Sequence, residues 1–303
     1  MSDMSVTICG VTLKNPVIAA SGTFGYGMEY NEFYPISRLG GVSCKGTTLK
    51  ERLGNPPPRI AETCAGILNS VGLQNPGLDS FISTYLPWLK KQDTAVIANI
   101  AGSTVEEYCE IAERLSGTDV DIIELNISCP NVKQGGVSFG TSRESVAKVT
   151  SEVKKRSAKP VMVKLTPNVT DIGDIAKAAE DAGADALSLI NTITGMRIDI
   201  KTRRPVLRNN TGGLSGPAVF PVAVRMVHEV YKRVNIPVVG MGGITKWEDA
   251  AEMMIAGASA VQVGTANFRD PFACIRIIEG LERFAASLGL KSIAELTGTV
   301  LEW

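Results

Sequence analysis

Short runs of β-branched, apolar residues alternate with longer amphipathic stretches along most of the chain. This alternation is typical of a parallel α/β fold, in which helices join buried strands and cover the sheet. A pair of short apolar runs at the start, Val6–Leu13, predicts a hairpin that turns at Cys9-Gly10 and closes the bottom of a barrel. After it, the pattern predicts eight core strands, which are Val17–Ala20, Gly41–Lys45, Ala95–Ile100, Asp121–Asn126, Val161–Leu165, Ala186–Ile190, Ile236–Gly240 and Ala260–Gly264.

Helical periodicity follows the later strands, and turn or capping residues bound it. Thr104 followed by Glu107 is a capping-box pattern at the start of one such helix. The predicted helices are Thr104–Leu115, Ser142–Ser157, Asp171–Ala182, a helix beginning at Pro217, Lys246–Ala256 and Asp270–Leu288. Eight strands with following helices predict a (β/α)₈ (TIM) barrel, with residues 1–303 as one domain. A doubly wound open sheet stays as the alternative, because periodicity does not show that a sheet closes.

Two connections are longer than a compact barrel needs. They are Thr47–Thr94, after strand 2, and Thr192–Gly216, after strand 6. Long connections in a compact domain are usually functional. Both leave the carboxyl ends of their strands, where barrel enzymes place their active sites. We therefore expect two long insertions beside the site.

Glycine-rich segments follow the last two strands. Strand 7 runs into Gly240-Met241-Gly242-Gly243, and strand 8 runs into Gly264-Thr265. Glycine allows the backbone to approach a phosphate closely, and free N–H groups there bind the anion. These two loops form the standard phosphate site of the barrel. The pattern favours a phosphorylated ligand over its alternative, two tight turns between strand and helix.

A cysteine lies at the end of strand 4, in Asn126-Ile127-Ser128-Cys129-Pro130-Asn131, and a glycine-bearing loop follows it. A thiol there would lie at the barrel mouth, where it could act as a nucleophile or a general base. The alternative is a small buried side chain, the usual fate of a free cysteine. Cys44 lies inside strand 2 and is expected in the core. The remaining cysteines lack a position at a strand end, so they are expected to be small buried side chains; they are Cys9, Cys64, Cys109 and Cys274.

Lysines and amides also occur at strand ends. Lys45 and Lys164 lie in or beside apolar runs, where an unpaired charge is costly. A Schiff-base lysine and charge stabilisation of an anionic cofactor are both open roles for them. Converging amides suit a planar heterocycle with alternating donors and acceptors. The candidate amide positions are Asn69, Asn99, Asn126 and the pair Asn191-Thr192.

Charge and composition narrow the function classes. The 303 residues include 31 basic and 31 acidic side chains, so the formal net charge is zero. A protein held to nucleic acid or an anionic membrane by bulk charge should instead be basic. We see no secretory signal and no apolar stretch of the ~18 residues needed to span a bilayer, so we expect a cytoplasmic protein. The single histidine, His228, falls in mid-helix, which argues against histidine triads and metal sites.

These motifs resemble class 1 dihydroorotate dehydrogenases over essentially the whole chain. The segment Asn126–Asn131 is specific to that family and its close relatives. Asn69-Ser70-Val71-Gly72-Leu73-Gln74-Asn75-Pro76-Gly77, together with Val132-Lys133-Gln134-Gly135-Gly136, points to the catalytic subunits of the NAD-dependent 1B branch. The resemblance implies an FMN-containing barrel that oxidises (S)-dihydroorotate to orotate in pyrimidine (UMP) biosynthesis, with hydride passing to FMN N5 and a proton to Cys129.

The resemblance also implies roles for individual residues. Cys129 would be the catalytic base. The FMN-binding set would be Ser21, Lys45, Gly46, Asn99, Asn126, Lys164, Ile190, Gly216, Gly242, Gly243, Gly264 and Thr265. The substrate-binding set would be Lys45, Asn69, Ser70, Val71, Gly72, Leu73, Asn126, Asn191 and Thr192. No metal site is implied.

The route by which electrons leave stays open. The chain has neither a nicotinamide-binding fingerprint nor iron–sulfur cysteines. The 1B resemblance implies a partner subunit with FAD and a [2Fe–2S] cluster, in a heterotetramer built on a homodimer of this chain. One alternative is a 1A-like homodimer that uses fumarate as acceptor. Others are a non-redox barrel enzyme that uses Lys164, such as an aldolase or isomerase, and a phosphate-ligand binding module without turnover.

Overall fold

The computed structural model describes residues 2–127 and 139–303. In chain order, its strands are β1 (Val6–Ile8), β2 (Val11–Leu13), β3 (Val17–Ala19), β4 (Gly41–Ser43), β5 (Ile60–Thr63), β6 (Gly66–Asn69), β7 (Ala95–Ile100), β8 (Ile122–Asn126), β9 (Val161–Lys164), β10 (Ala186–Leu189), β11 (Ile193–Gly195), β12 (Ile198–Asp199), β13 (Arg204–Pro205), β14 (Gly212–Ser215), β15 (Val238–Met241) and β16 (Ala260–Val263).

Eight of these strands form a closed parallel barrel in the order β3-β4-β7-β8-β9-β10-β15-β16. The closing pair is β16 with β3, in which Val261 lies opposite Val17. Closure confirms the (β/α)₈ barrel and excludes the open doubly wound sheet. Each predicted core strand is present, with ends that differ by no more than two residues from those expected. The near-continuous apolar runs are explained by burial on both faces, since helices cover the outside and side chains fill the inside.

Helices follow the later barrel strands as the periodicity predicts, whereas the connection from β3 to β4 contains only 3₁₀ turns. They are α1 (Leu78–Ser80), α2 (Leu86–Leu89), α3 (Val105–Ser116), α4 (Arg143–Arg156), α5 (Ile172–Asp181), α6 (Phe220–Tyr231), α7 (Trp247–Ile255), α8 (Ala266–Arg269) and α9 (Ala273–Ser287). A π-helical turn, Phe81–Tyr85, links α1 and α2. Short 3₁₀ turns are Tyr30–Glu32, Ile36–Arg38, Pro217–Val219 and Ile293–Leu296.

The start of α3 shows how local chemistry sets a boundary. The Thr104 hydroxyl accepts a hydrogen bond from the Glu107 backbone N–H at 3.2 Å, as the capping pattern predicts. The Glu107 carboxylate accepts from the Ser103 N–H rather than from the Thr104 N–H, so the return bond reaches one residue further back. The same logic starts α5, where Asp171 accepts from the Asp174 N–H at 2.9 Å.

The N-terminal hairpin is present as β1 and β2, which pair antiparallel around Cys9-Gly10. Cys9 takes a φ of 54° and Gly10 a φ of 76°, the left-handed geometry that a tight hairpin turn requires. Alternate side chains of the hairpin, Val6, Ile8 and Leu13, join the main apolar core. The hairpin therefore packs onto the barrel.

The two long connections meet and form a second sheet. This four-stranded antiparallel sheet, the cover sheet, has the order β11-β14-β6-β5. β5 and β6 belong to the insertion after β4, and β11 and β14 to the insertion after β10. The two insertions are joined where β14 pairs with β6, with Leu214 opposite Leu68. Strand pairing across 146 positions of sequence leaves no local signal, and the sequence alone did not predict this sheet.

Among the described residues, no helix is both long and apolar enough to span a bilayer.

Candidate active site

A cavity opens at the carboxyl ends of the barrel strands. Its wall contains residues from the end of every barrel strand or from the loop that follows it, including Ser21, Lys45, Asn99, Asn126 and Lys164. The cover sheet forms the opposite side through Ile60, Ile67, Asn69, Leu214 and Ser215. The insertions thus enclose the mouth of the barrel, the position that their length and placement predicted.

The residues predicted from the sequence to bind cofactor or substrate lie around this cavity, with one exception. Every residue of the predicted FMN-binding set lines it. Of the predicted substrate-binding set, all but Ser70 line it. Ser70 lies behind the wall with its side chain fully buried, and its hydroxyl has no hydrogen-bond partner among the described residues. The backbone N–H of Ser70 donates to the Arg59 carbonyl at 2.8 Å, which fixes the segment instead.

Glycines after β15 and before Pro217 let three backbone segments meet at one end of the cavity. Gly243 has a φ of +79°, and a Cβ there would lie 2.7 Å from the Phe220 Cβ and 2.9 Å from the Gly216 carbonyl oxygen. Gly242 has a φ of +123°, and its Cβ would lie 2.9 Å from the Ala223 Cβ. Gly264, after β16, has room for a Cβ, since the nearest atom would be 3.6 Å away. The arrangement leaves backbone exposed to a ligand, as a phosphate cradle requires.

Lys164 lies at the end of β9 with its side chain only 5% exposed. Its ammonium donates to the Ser21 hydroxyl at 3.3 Å and lies 3.9 Å from a carboxylate oxygen of Glu124. Lys45, by contrast, is half-buried and follows β4. The cavity therefore contains two cations at different depths, which suits a ligand with two separate electron-rich groups.

Glu124, in the middle of β8, is completely buried beneath the cavity. Its carboxylate accepts hydrogen bonds from Ser43 at 2.7 Å and Asn99 at 2.5 Å on one oxygen. The other oxygen accepts from Ser188 at 2.8 Å and Gln262 at 2.7 Å. These donors come from strands on different sides of the barrel, so the carboxylate ties the interior together.

Electrostatics keep this carboxylate ionised. Burial acts to raise the pKa of Glu124, but the Lys164 ammonium and the hydrogen bonds from Asn99, Ser43 and Gln262 together outweigh it, and the pKa lies below its ordinary value. A buried charge without such partners would be costly. Glu124 and Lys164 therefore form a compensated ion pair just below the cavity.

Amides at the cavity wall are ordered by the same carboxylate. Asn99 donates its amide N–H to Glu124, and its amide oxygen accepts from the Asn126 Nδ2 at 3.3 Å. The Asn126 carbonyl is held in turn by the Tyr108 hydroxyl at 2.8 Å. Gly46 approaches this group so closely that a Cβ would lie 2.8 Å from the Asn99 oxygen. These contacts set the orientation of the amides before any ligand binds.

The predicted base, Cys129, lies outside the described residues, as does most of its motif. None of the described cysteines lines the cavity. Burial raises the pKa of the Cys44 thiol and raises that of Cys274 to about 12. Such thiols stay protonated and cannot accept a proton, in agreement with the structural roles expected for them. The expectation of burial is wrong for Cys64, which is exposed, and Cys9 and Cys109 are only partly buried.

Sequence similarity to known enzymes supports the interpretation of this cavity as an active site. A sequence model of the family described as Dihydroorotate dehydrogenase matches residues 3–285. Proteins named Dihydroorotate dehydrogenase B (NAD(+)), catalytic subunit, are similar along nearly their full length. That of Geobacillus kaustophilus is 57% identical over 299 residues, which is 98% of this chain and 96% of that protein. Those of Oceanobacillus iheyensis and Petrotoga mobilis are 56% and 53% identical, covering 97% and 99% of this chain and 97% and 100% of those proteins.

The chain belongs to the dihydroorotate dehydrogenase family. It is therefore an oxidoreductase of a family that uses a flavin, because no side chain can accept a hydride. This agrees with the resemblance derived from the motifs.

The cavity of this dihydroorotate dehydrogenase fits a flavin on its own chemistry. The glycine cradle suits a phosphate, and Lys164 suits an electron-rich ring edge. Gln262 lines the cavity, and its side-chain oxygen is a buried acceptor with no hydrogen-bond partner among the described residues. Within residues 2–127 and 139–303, no cluster of three or more His, Cys, Asp or Glu could hold a metal ion.

Two polar residues of this site, Glu124 and Gln262, were not predicted from the sequence. Each lies inside a strand whose other residues are buried, β8 and β16 respectively. A charged or amide side chain at such a position is a signal, because burial of an unpaired polar group is unfavourable. His228, expected to be structural, is indeed remote from the cavity, with Nδ1 3.2 Å from the Ala256 oxygen and Nε2 3.1 Å from Glu302.

Proposed function

We propose that this chain is the FMN-binding catalytic subunit of an NAD⁺-linked dihydroorotate dehydrogenase, with residues 1–303 as one catalytic domain. The observation that carries the proposal is the convergence of all twelve candidate FMN-binding residues, from every part of the barrel, on one cavity. The relatives named above are catalytic subunits, which supports the proposal that this chain catalyses the oxidation while a separate partner subunit transfers the electrons onward.

The reaction removes a proton from C5 and a hydride from C6 of dihydroorotate to give orotate. A bound flavin supplies the hydride acceptor. The protein supplies the rest. The amides of Asn69, Asn126 and Asn191 hold the pyrimidine ring through its alternating donors and acceptors. Lys45 neutralises the substrate carboxylate, a charge-assisted contact of the stronger kind.

Cys129 takes the C5 proton as general base. It follows Asn126, which lines the cavity, by three positions along the chain. Lys164 stabilises negative charge that develops on the cofactor, since a fixed cation in a water-poor site interacts strongly with it. The cover sheet limits access of water to the cavity, which strengthens both effects.

Exposed apolar side chains beside the cavity support the proposal that a partner subunit docks there. Ile60 and Phe268 line the cavity, yet each is 54% exposed. Exposed apolar side chains that cluster at a functional opening are typical of protein interaction sites. We propose that a subunit carrying FAD and [2Fe–2S] receives the electrons there, with two copies of each chain in the complete enzyme.

Two measurements test the proposal. The purified chain should show a flavin absorption spectrum, and the released cofactor should have the mass of FMN. With dihydroorotate, the chain alone should reduce an artificial acceptor but not NAD⁺, and should reduce NAD⁺ once the partner subunit is added. A colourless, folded chain that cannot be reconstituted with FMN would overturn the proposal. Rapid turnover with fumarate and none with NAD⁺ plus partner would assign the 1A-like route instead.

A further inference from the structure

The Glu124 carboxylate is the strongest polar feature that the mechanism leaves unused. It is 0% exposed and is surrounded by four hydrogen-bond donors and an ammonium. Three of these partners, Asn99, Lys164 and Gln262, also line the cavity, whereas Glu124 itself does not. Glu124 therefore lies one layer below the cavity and would act on a ligand only through other side chains.

A carboxylate can only accept hydrogen bonds, and this fixes which way its amide neighbours face. Gln262 must turn its NH₂ group toward Glu124, as observed at 2.7 Å. The amide oxygen of Gln262 cannot bond to Glu124, and it is buried without a partner among the described residues, in a side chain that lines the cavity. An uncompensated buried acceptor is unfavourable, and a hydrogen-bond donor on a ligand would remove this cost.

Stability alone does not call for a carboxylate here. Replacing buried ion pairs with well-packed apolar residues is often neutral or stabilising. The barrel interior could be filled with aliphatic side chains, as its other layers largely are. A carboxylate does what an aliphatic side chain cannot, since it selects one of the two orientations of each amide.

We propose that Glu124 is a positioning residue that fixes the polarity of the cavity floor: it makes Gln262 present its amide oxygen to a donor N–H or O–H of the flavin, and it holds the Lys164 ammonium beside it. Gln262 is then a cofactor-binding residue in its own right. This inference rests on the proposed function, because it assigns partners to a bound flavin.

The first test distinguishes the proposed hydrogen bond between the flavin and the Gln262 amide oxygen from the hydrogen bond that Gln262 donates to Glu124. Gln262→Met and Ser188→Ala each remove one donor from the same oxygen of Glu124. Only Gln262 also lines the cavity. We expect the Gln262→Met apoprotein to bind FMN about tenfold more weakly, the loss of one buried hydrogen bond, and Ser188→Ala to bind it almost normally. Fluorescence quenching of FMN measures both. Equal affinities in the two variants would overturn the role of Gln262.

The second test uses the charge of Glu124. Glu124→Gln removes a negative charge below the flavin, so the reduced, more electron-rich cofactor should be favoured by about tenfold or more, and the midpoint potential should rise. The control is Glu152→Gln, which removes a surface carboxylate paired with Lys155 on α4. A purely structural role would lower the melting temperature of Glu124→Gln without changing the potential of its bound flavin. Equal potentials in the two variants would overturn the positioning role.

The outcomes are distinguishable from failure of the proposed function. If the wild-type apoprotein binds no FMN, the proposed function and this inference both fall. If it binds FMN tightly while Gln262→Met behaves like Ser188→Ala, only the inference falls. Should Glu124→Gln not fold, the comparison of Gln262→Met with Ser188→Ala still decides whether the amide oxygen meets the cofactor.

Discussion

Gly243→Ala should distort the glycine segment expected to bind the phosphate, and the backbone geometry lets us estimate the loss in the free energy of unfolding. Gly243 has a φ of +79°, where an L side chain adds about 1–2 kcal/mol of strain. The new Cβ would also lie 2.7 Å from the Phe220 Cβ and 2.8 Å from the Phe220 backbone nitrogen, so the first turn after Pro217 must shift. Together we expect a loss of about 2–4 kcal/mol in the free energy of unfolding of the apoprotein.

Two glycine variants serve as matched controls. Gly289→Ala, at a φ of +66° with nothing within 4 Å of its Cβ, should show the strain alone, about 1 kcal/mol. Gly264→Ala should leave the stability of the apoprotein almost unchanged, because its nearest contact is 3.6 Å and its φ is ordinary. Its methyl group would, however, enter the space where the phosphate is expected, so FMN should bind at least about tenfold more weakly.

Thermal unfolding of the three apoproteins measures the first effect, and each kcal/mol should lower Tm by roughly 1.5 °C in a chain of this size. Titration of each apoprotein with FMN measures the second. Gly264→Ala with unchanged FMN affinity would refute the placement of the phosphate at the ends of β15 and β16. Gly243→Ala with the stability of Gly289→Ala would show that the contact with Phe220 relaxes without cost.

Four further predictions test other parts of the site. Cys129→Ala should lower turnover at least about a hundredfold with flavin retained, and Cys129→Ser should gain activity as pH rises because a hydroxyl is the weaker acid; normal turnover in the first or a flat pH profile in the second would contradict its role as base. Lys164→Met should lower the midpoint potential of the bound flavin, measured by dye equilibration, since it removes a buried cation; an unchanged potential would place the flavin elsewhere. Because folding lowers the pKa of Glu124 below its ordinary value of 4.5, its ionised form stabilises the fold above that pH, and the stability difference between wild type and Glu124→Gln in urea should stay constant near neutrality and shrink as pH falls below about 4.5; a difference that persists in acid would argue against this. Phe268→Asp should impair NAD⁺ reduction through the partner but spare an artificial acceptor. The control is Leu288→Asp, at a residue that is 53% exposed and does not line the cavity, and it should impair neither; equal effects would remove Phe268 from the docking surface.

Local sequence patterns predicted much of the fold and most of the residues of the candidate site. The period of apolar residues located each barrel strand to within two residues, because a strand buried on both faces is mostly apolar. Thr104 and Asp171 marked helix starts, since each side chain caps free backbone N–H groups that follow it. Glycine-rich strand ends and family motifs named residues that do converge on one cavity.

No local sequence pattern predicts which residues from distant parts of the chain come into contact. Closure of the barrel depends on hydrogen bonds between β16 and β3 at opposite ends of the chain, and periodicity reports burial without naming a partner. The cover sheet exists because β14 pairs with β6 from a different insertion. Glu124 reads in the sequence as one acidic residue in an apolar strand, and only the closed barrel brings donors from β4, β7, β10 and β16 to its two oxygens. The chain encodes which residues are buried, but the charge and polarity of the site arise from contacts that form only when the strands close around one axis.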